Sequence, residues 1–219
     1  MFMTRSVFHF CTFKPSELPA QIMHQNTPLY GLVLAGGESR RMGSAKAALE
    51  YHGLPESDRM VDLLRRSCTS VYVGCREDQL SSLPEHHLPI SDLPRFAGNG
   101  PIGSLLSAWT VFPDVDWFVV GCDYPFFGVP AVEYLLQADA SEGWSGFHNN
   151  ETQEPEPLLG IYRQSLQETL FQYFEKGGRS LRKFLHSLEQ DPHLPEDPRW
   201  IRSIDTREDY LLTLQTLRS

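Results

Sequence analysis

YGLVLAGGESRRMGSAK, residues 30–46, is the stretch on which the reading of this chain turns. It opens with an apolar run, Tyr30 to Ala35, that has the length and composition of a buried strand. Gly36 and Gly37 follow at once, where the strand must end and the backbone must turn sharply or come close to something. Arg40, Arg41 and Lys46 then place three cations in a short polar loop that Gly43 lets bend once more. A strand running into a glycine-rich, cationic loop is a way to hold phosphates. Backbone N–H groups line the pocket, and the Lys and Arg side chains offset the charge. An ordinary strand-to-helix turn with surface arginines is the plainer alternative. The loop is not of the Walker type, which ends in Gly-Lys-Ser/Thr, because Ser44 and Ala45 separate Gly43 from Lys46.

The chain has 219 residues, enough for one substantial core. Residues 28–219 are expected to form a single domain behind a weakly ordered extension over residues 1–27. The apolar patch of that extension, Val7 to Phe13, is interrupted by His9 and closed by Lys14-Pro15, which makes a poor signal-peptide core. A formal net charge of −9 speaks against a general nucleic-acid binder. A basic cluster inside an acidic chain suits a small anionic ligand better. No run approaches the roughly 18–20 apolar residues of a membrane span. Cys11, Cys68, Cys75 and Cys122 show no zinc-ligand spacing and lie in or beside apolar runs. Buried free thiols in a reducing cytoplasm are the expectation.

Beyond Lys46, Asp58 to Ser67 reads as an amphipathic helix with its arginines on the outer face. Ser70 to Gly74 reads as a strand. Residues 76–93 read as loop, with His86-His87 a solvated surface pair. Gly98-Asn-Gly-Pro-Ile-Gly103 fits G-x-G-x-x-G, with Asp123 about 20 residues further on, as in a dinucleotide fingerprint. The proline-broken run before it and the donor lost at Pro101 count against that reading. Ser104 to Phe112 is a plausible helix, and Trp117 to Cys122 has the continuous apolar character of a central parallel strand. Asp123 ends that strand, where open α/β sheets bind ligands, unless it serves only as a turn or cap. Further helices are expected over 129–138, 165–175, 180–188 and 208–217, and strands over 144–148, 159–163 and 200–204. The alternation predicts a doubly wound α/β fold, a mostly parallel sheet with helices on both faces.

With these motifs placed, the chain resembles the molybdenum cofactor guanylyltransferases, which belong to the nucleotidyltransferases that activate small metabolites. The resemblance rests on Leu34-Ala35-Gly36-Gly37, Arg41-Met42-Gly43 and Lys46 in the first loop. It continues through a loop Asp at Asp92, Gly100-Pro101-Ile102-Gly103, Asp123-Tyr124-Pro125, Glu156-Pro157-Leu158 and Gly178 to Arg182. It implies a Rossmann-like fold of the nucleotide-diphospho-sugar transferase type. It also implies transfer of GMP from GTP to the terminal phosphate of molybdopterin, with release of pyrophosphate and a need for Mg²⁺. Under it, Arg41 and Lys46 hold the triphosphate, and Asp123 is the catalytic metal ligand. Leu34, Ala35, Gly36 and Gly37 lie under or beside the nucleotide, Asp92 and Gly100 bind the guanosine part or order the second loop, and Glu156 and Arg182 face the pterin. Cofactor-maturation proteins or molybdoenzyme chaperones are the implied protein partners.

Two places depart from the family pattern. Ala45 stands where an Asp usually precedes the lysine, and Ser203-Ile204-Asp205-Thr206-Arg207 replaces an Asn-x-Asn-Thr-Pro run. Asp205 is the candidate substitute for one of those asparagines. Two other readings stay open: a cytidylyl- or sugar-phosphate nucleotidyltransferase of the same fold, and a non-catalytic protein that binds nucleotide or cofactor.

Overall fold

The computed structural model describes residues 27–35, 46–138, 143–188 and 193–218. The apolar run of the key stretch is strand β1 (Leu29–Leu34), followed in the chain by β2 (Ser70–Cys75), β3 (Pro89–Ser91), β4 (Asp116–Gly121), β5 (Trp144–His148) and β6 (Pro155–Tyr162). They make one sheet in the order β3-β2-β1-β4-β6-β5. The first four lie parallel, and β6 runs antiparallel to both β4 and β5. Parallel neighbours need a crossover. Helices α1 (Glu56–Leu64) and α2 (Pro101–Val111) supply it. Helices α3 (Val129–Ala138), α4 (Gln167–Glu175), α5 (Leu181–His186) and α6 (Arg207–Arg218) complete the described helices. No helix among the described residues is long and apolar enough to cross a membrane.

Strand β4 is buried along its whole length because both faces of the sheet are covered. Its side chains alternate between two cores. Phe118 and Val120 join Met60 and Leu64 of α1 and Ala131 and Leu135 of α3. Trp117 and Val119 join Leu105, Leu106 and Trp109 of α2, together with Leu170 of α4 and Phe184 of α5. At the start of β4, buried Asp116 accepts bonds from Arg163 Nη1 at 2.5 Å and from the Gln164 backbone N–H at 2.7 Å. That ion pair ties the end of β6 to the central strand.

Four expectations need correction. The segment 76–93 is not loop throughout: it holds a 3₁₀ turn, Glu77–Ser82, and the edge strand β3. β3 is too short to show a pattern, and Pro89 is tolerated because it opens an edge strand. Residues 200–204 form no strand; Asp197 caps a 3₁₀ turn, Pro198–Ile201, by accepting the Arg199 N–H. Arg59 does not point outward, since its guanidinium turns in to carbonyls after β4. His87 is buried rather than solvated, and desolvation pushes its pKa down against the pull of Asp58. Of the thiols, Cys75 and Cys122 are free and buried as expected, Cys68 is free but only half-buried, and Cys11 lies outside the described residues.

Replacing Asp116 with Ala removes the buried carboxylate that accepts from Arg163 and from the Gln164 N–H, and breaking a buried ion pair typically costs about 3–5 kcal/mol. Urea unfolding of Asp116→Ala is therefore expected to show a large fall in midpoint with an unchanged slope.

Candidate active site

The C-terminal ends of β2, β1 and β4 meet in a level row, Gly74, Leu34 and Gly121. Ala35 continues it, donating its N–H to the Gly74 carbonyl at 3.1 Å. A Cβ at position 121 would lie 2.7 Å from Asp123 Oδ1, so any larger residue there would displace that carboxylate. Asp123 thus ends the central strand with its carboxylate folded back over the sheet edge.

The loop that carries Asp123 is held by its carbonyls. Arg59 Nη2 donates to Tyr124 at 3.0 Å and Arg59 Nη1 to Phe127 at 2.8 Å. His52 Nε2 donates to Pro125 at 2.9 Å, and the Ile204 N–H donates to Asp123 itself at 2.9 Å. The last bond places Asp205 one residue from the chain that touches Asp123. Arg59 is in turn gripped by Glu56, whose two carboxylate oxygens each accept from Nε at 2.9 Å. Glu56 is fully buried, and burial raises its pKa against the hydrogen bond and charge of Arg59.

Strand β6 brings a second carboxylate to the same edge. The first residues of β6 run on past the end of β4, and Glu156 lies near enough to Asp123 to feel its charge. Arg182 Nε donates to the Pro155 carbonyl at 3.2 Å, and its Nη2 lies 3.4 Å from Glu156 Oε2. The Tyr124 side chain also lies close enough to act on the Glu156 carboxyl. Burial raises the Glu156 pKa, while Tyr124 and Arg182 oppose the rise and Asp123 adds to it.

The second glycine loop lies at the other end of the row. Gly100 adopts φ +61° as the residue before α2, and Pro101 occupies the first helical position, where its missing N–H costs nothing. A Cβ on Gly103 would sit 2.3 Å from the Phe96 carbonyl oxygen. The G-x-G-x-x-G spacing is therefore accounted for by turn geometry and close packing. Asp92, just past β3, accepts from Ser104 Oγ of α2 at 2.7 Å. Burial raises its pKa, and Ser104 and the charge of Arg76 offset part of the rise. Asp92 and Asp123 do not meet, being three strand spacings apart along the edge, about 14 Å. Gly36, Gly37 and Arg41 lie outside the described residues. Lys46 opens a 3₁₀ turn, Lys46–Ala48, and its side chain also lies outside them.

A model of the MobA-like NTP transferase domain matches residues 31–192. The chain belongs to the MobA-like NTP transferase family. It is 32% identical over 185 residues to a molybdenum cofactor biosynthesis bifunctional protein of Synechocystis, covering 84% of this chain and 53% of that one. The chain thus spans about half the length of that relative. A probable molybdenum cofactor guanylyltransferase of Synechococcus elongatus is 28% identical over 196 residues, covering 82% of this chain and 94% of the other. Among solved structures, the molybdopterin-guanine dinucleotide biosynthesis protein A of Archaeoglobus fulgidus aligns with TM-score 0.60 and 24% identity, over 86% of this chain and 98% of that one. The 2-C-methyl-D-erythritol 4-phosphate cytidylyltransferase of Thermus thermophilus aligns with TM-score 0.61 and 14% identity, over the same shares. These two establish the fold alone.

Within the MobA-like domain, Leu34, Ala35, Asp92, Gly100, Asp123, Glu156 and Arg182 all reach one edge of the sheet. Glu56, Arg59, His52 and Ser104 carry no signal of their roles in the sequence. Arg59 and Glu56 are three apart at a helix start, a spacing shared by many exposed pairs, and their carbonyl partners lie 65 and 68 residues away.

The raised pKa makes stability depend on the protonation of Glu156. The folded protein binds the Glu156 proton more tightly than the unfolded chain does. Its contribution to stability is therefore greatest below the ordinary value of 4.5 and is lost as pH rises through the native value. Urea unfolding over a pH series should show wild type gaining stability relative to Glu156→Gln as the pH is lowered through that window. A difference that grows with rising pH would contradict the assignment.

Proposed function

We propose that this protein transfers GMP from GTP to the terminal phosphate of molybdopterin. A phosphate oxygen of the acceptor forms the new bond to the α-phosphorus, the bond to the β-phosphate breaks, and pyrophosphate leaves. The observation that carries the reading is the placement of Asp123 at the end of the central strand, on a loop whose carbonyls are tied down on every side. Its support comes from the MobA-like family and from relatives named for guanylyl transfer onto this cofactor.

Mg²⁺ is the implied metal, and the donor chemistry fits it. Asp123 offers hard carboxylate oxygens, and the Ile204 bond brings the Asp205 backbone beside it. Asp123 would hold the ion, with Asp205 as the second oxygen donor in the place of a family asparagine. When bound, Mg²⁺ supplies charge neutralisation on the phosphates and on the departing pyrophosphate. Phosphoryl transfer asks the protein mainly for position and charge. Arg41 and Lys46 would hold the triphosphate. Leu34, Ala35, Gly36 and Gly37 would lie against the nucleotide, and Asp92 and Gly100 would receive the guanosine end. Glu156 and Arg182, already paired, would face the pterin. The fold leaves the base open, since a cytidylyltransferase shares it at a similar TM-score. Gly36-Gly37 favours guanine over cytosine, because cytidylyl relatives more often carry Ala-Gly there.

The test is pyrophosphate release with Mg²⁺ and molybdopterin, offering GTP, CTP, ATP and UTP separately. Release with GTP alone is expected. Release with CTP instead would move the base, and GTP binding without release would make this a binding protein. Asp123→Ala should lower turnover by at least about 100-fold while the melting temperature stays close to wild type. Unchanged turnover would remove Asp123 from the metal site.

A further inference from the structure

Helix α1 shows one polar stripe that the transfer reaction does not use. Asp58, Asp62 and Arg65 recur at helical spacing and line an open cleft of about 430 Å³, whose other wall holds His86 and His87. The histidines are adjacent in sequence, yet both rings turn to the same side. The turn that closes with the His87 N–H on the Pro84 carbonyl at 3.0 Å sets their ring centres 4.5 Å apart.

Both imidazoles converge on one oxygen. His86 Nε2 lies 3.0 Å and His87 Nε2 2.7 Å from Asp58 Oδ1. The His87 side chain is completely buried, and its contact to Asp58 does not meet the geometry of a hydrogen bond. Neither of its ring nitrogens has a hydrogen-bond partner. A buried imidazole aimed at a carboxylate without a proper bond is a costly arrangement unless something else takes its lone pair.

We propose that Asp58, His86 and His87 form a binding site for a Zn²⁺-class divalent transition metal, with the fourth position open to water from the cleft. The three ligand atoms lie within 4.8 Å of one another. Bonds of about 2.0–2.1 Å in a tetrahedral site set ligand atoms roughly 3.3 Å apart. Reaching it asks the 2.7 and 3.0 Å contacts to Asp58 to open by a few tenths of an ångström and the two imidazole nitrogens, within 4.8 Å of each other, to settle at the same separation. Two imidazoles and one carboxylate are zinc chemistry and poor magnesium chemistry, which separates this site from the one at Asp123. The local charge also suits a cation: Asp62 neutralises Arg65 at 3.0 Å, which leaves Asp58 as the uncompensated carboxylate. Arg65 Nη2 lies 3.4 Å from the His86 carbonyl oxygen and steadies that residue's backbone. The metal would staple α1 to the turn before β3, one residue along the helix from the Arg59 that holds the Asp123 loop.

Competition between the full-length protein and a chromophoric zinc chelator tests this, with Asp58→Asn and His86→Ala as variants. His86 is exposed, so its loss leaves the fold intact, whereas replacing buried His87 invites unfolding. The expected result is one zinc per chain, a rise in melting temperature with zinc, and at least about tenfold weaker binding in each variant. Cobalt substitution should give the intense visible bands of a four-coordinate ion in wild type and lose them in the variants. Zinc bound as tightly by both variants, or no zinc bound by wild type, overturns the proposal.

Discussion

A single guanidinium holds the functional edge of this protein together. Glu56 is fully buried, and a buried carboxylate left alone would cost several kcal/mol. Arg59 offsets that cost through its charge and its paired contacts, and then uses its remaining N–H groups on the carbonyls of Tyr124 and Phe127. Only the planar fork of arginine serves both tasks at once; a lysine ammonium would satisfy Glu56 and leave the loop loose. The first turn of α1 and the loop after β4 are by this means one mechanical unit. His52 and the Ile204 N–H complete it from either side.

The direction of β6 matters as much. Four parallel strands deliver their C-terminal ends, and the loops after them, to one edge. An antiparallel neighbour reaches that edge with its first residues. Glu156 therefore stands beside Asp123 although it opens its own strand, and Tyr124 and Arg182 can both reach it. The Asp116–Arg163 pair locks the opposite end of the same two strands, so their register is fixed at both limits.

Much of this was legible in the sequence, for reasons of local chemistry. β1, β2 and β4 are unbroken apolar or β-branched runs because the sheet buries both of their faces. Asp123, Asp92, Gly100 and Glu156 stood in motifs whose spacing survives any change in surroundings. What escaped was set by distant contacts. β3 has three residues and a proline, too few for any period to show. The segment 200–204 is apolar enough for a strand, but Pro198 and the Asp197 cap commit it to a turn. Arg59 lies on what helical spacing marks as an outer face, and only a loop more than sixty residues away draws it inward. His87 looks like any polar turn residue until the turn folds it under α1.

The charges along the edge bear on what the proposed reaction requires. Asp92, Asp123 and Glu156 line it with carboxylates, and Glu56 lies behind them. The cations among them are engaged: Arg59 with Glu56 and two carbonyls, Arg182 with Glu156 and Pro155, Arg76 with Asp78. A triphosphate brought to such an edge gains little from arginines that are already engaged, and carboxylate and phosphate charges held close in a partly desolvated site oppose one another. The proposed reaction consequently needs positive charge from two sources, a divalent ion on Asp123 and the Arg40, Arg41 and Lys46 cluster of the first loop. A carboxylate-lined sheet edge and a cationic glycine loop in one chain are thus complementary requirements of the proposed reaction, the first to hold a metal and the second to hold phosphates.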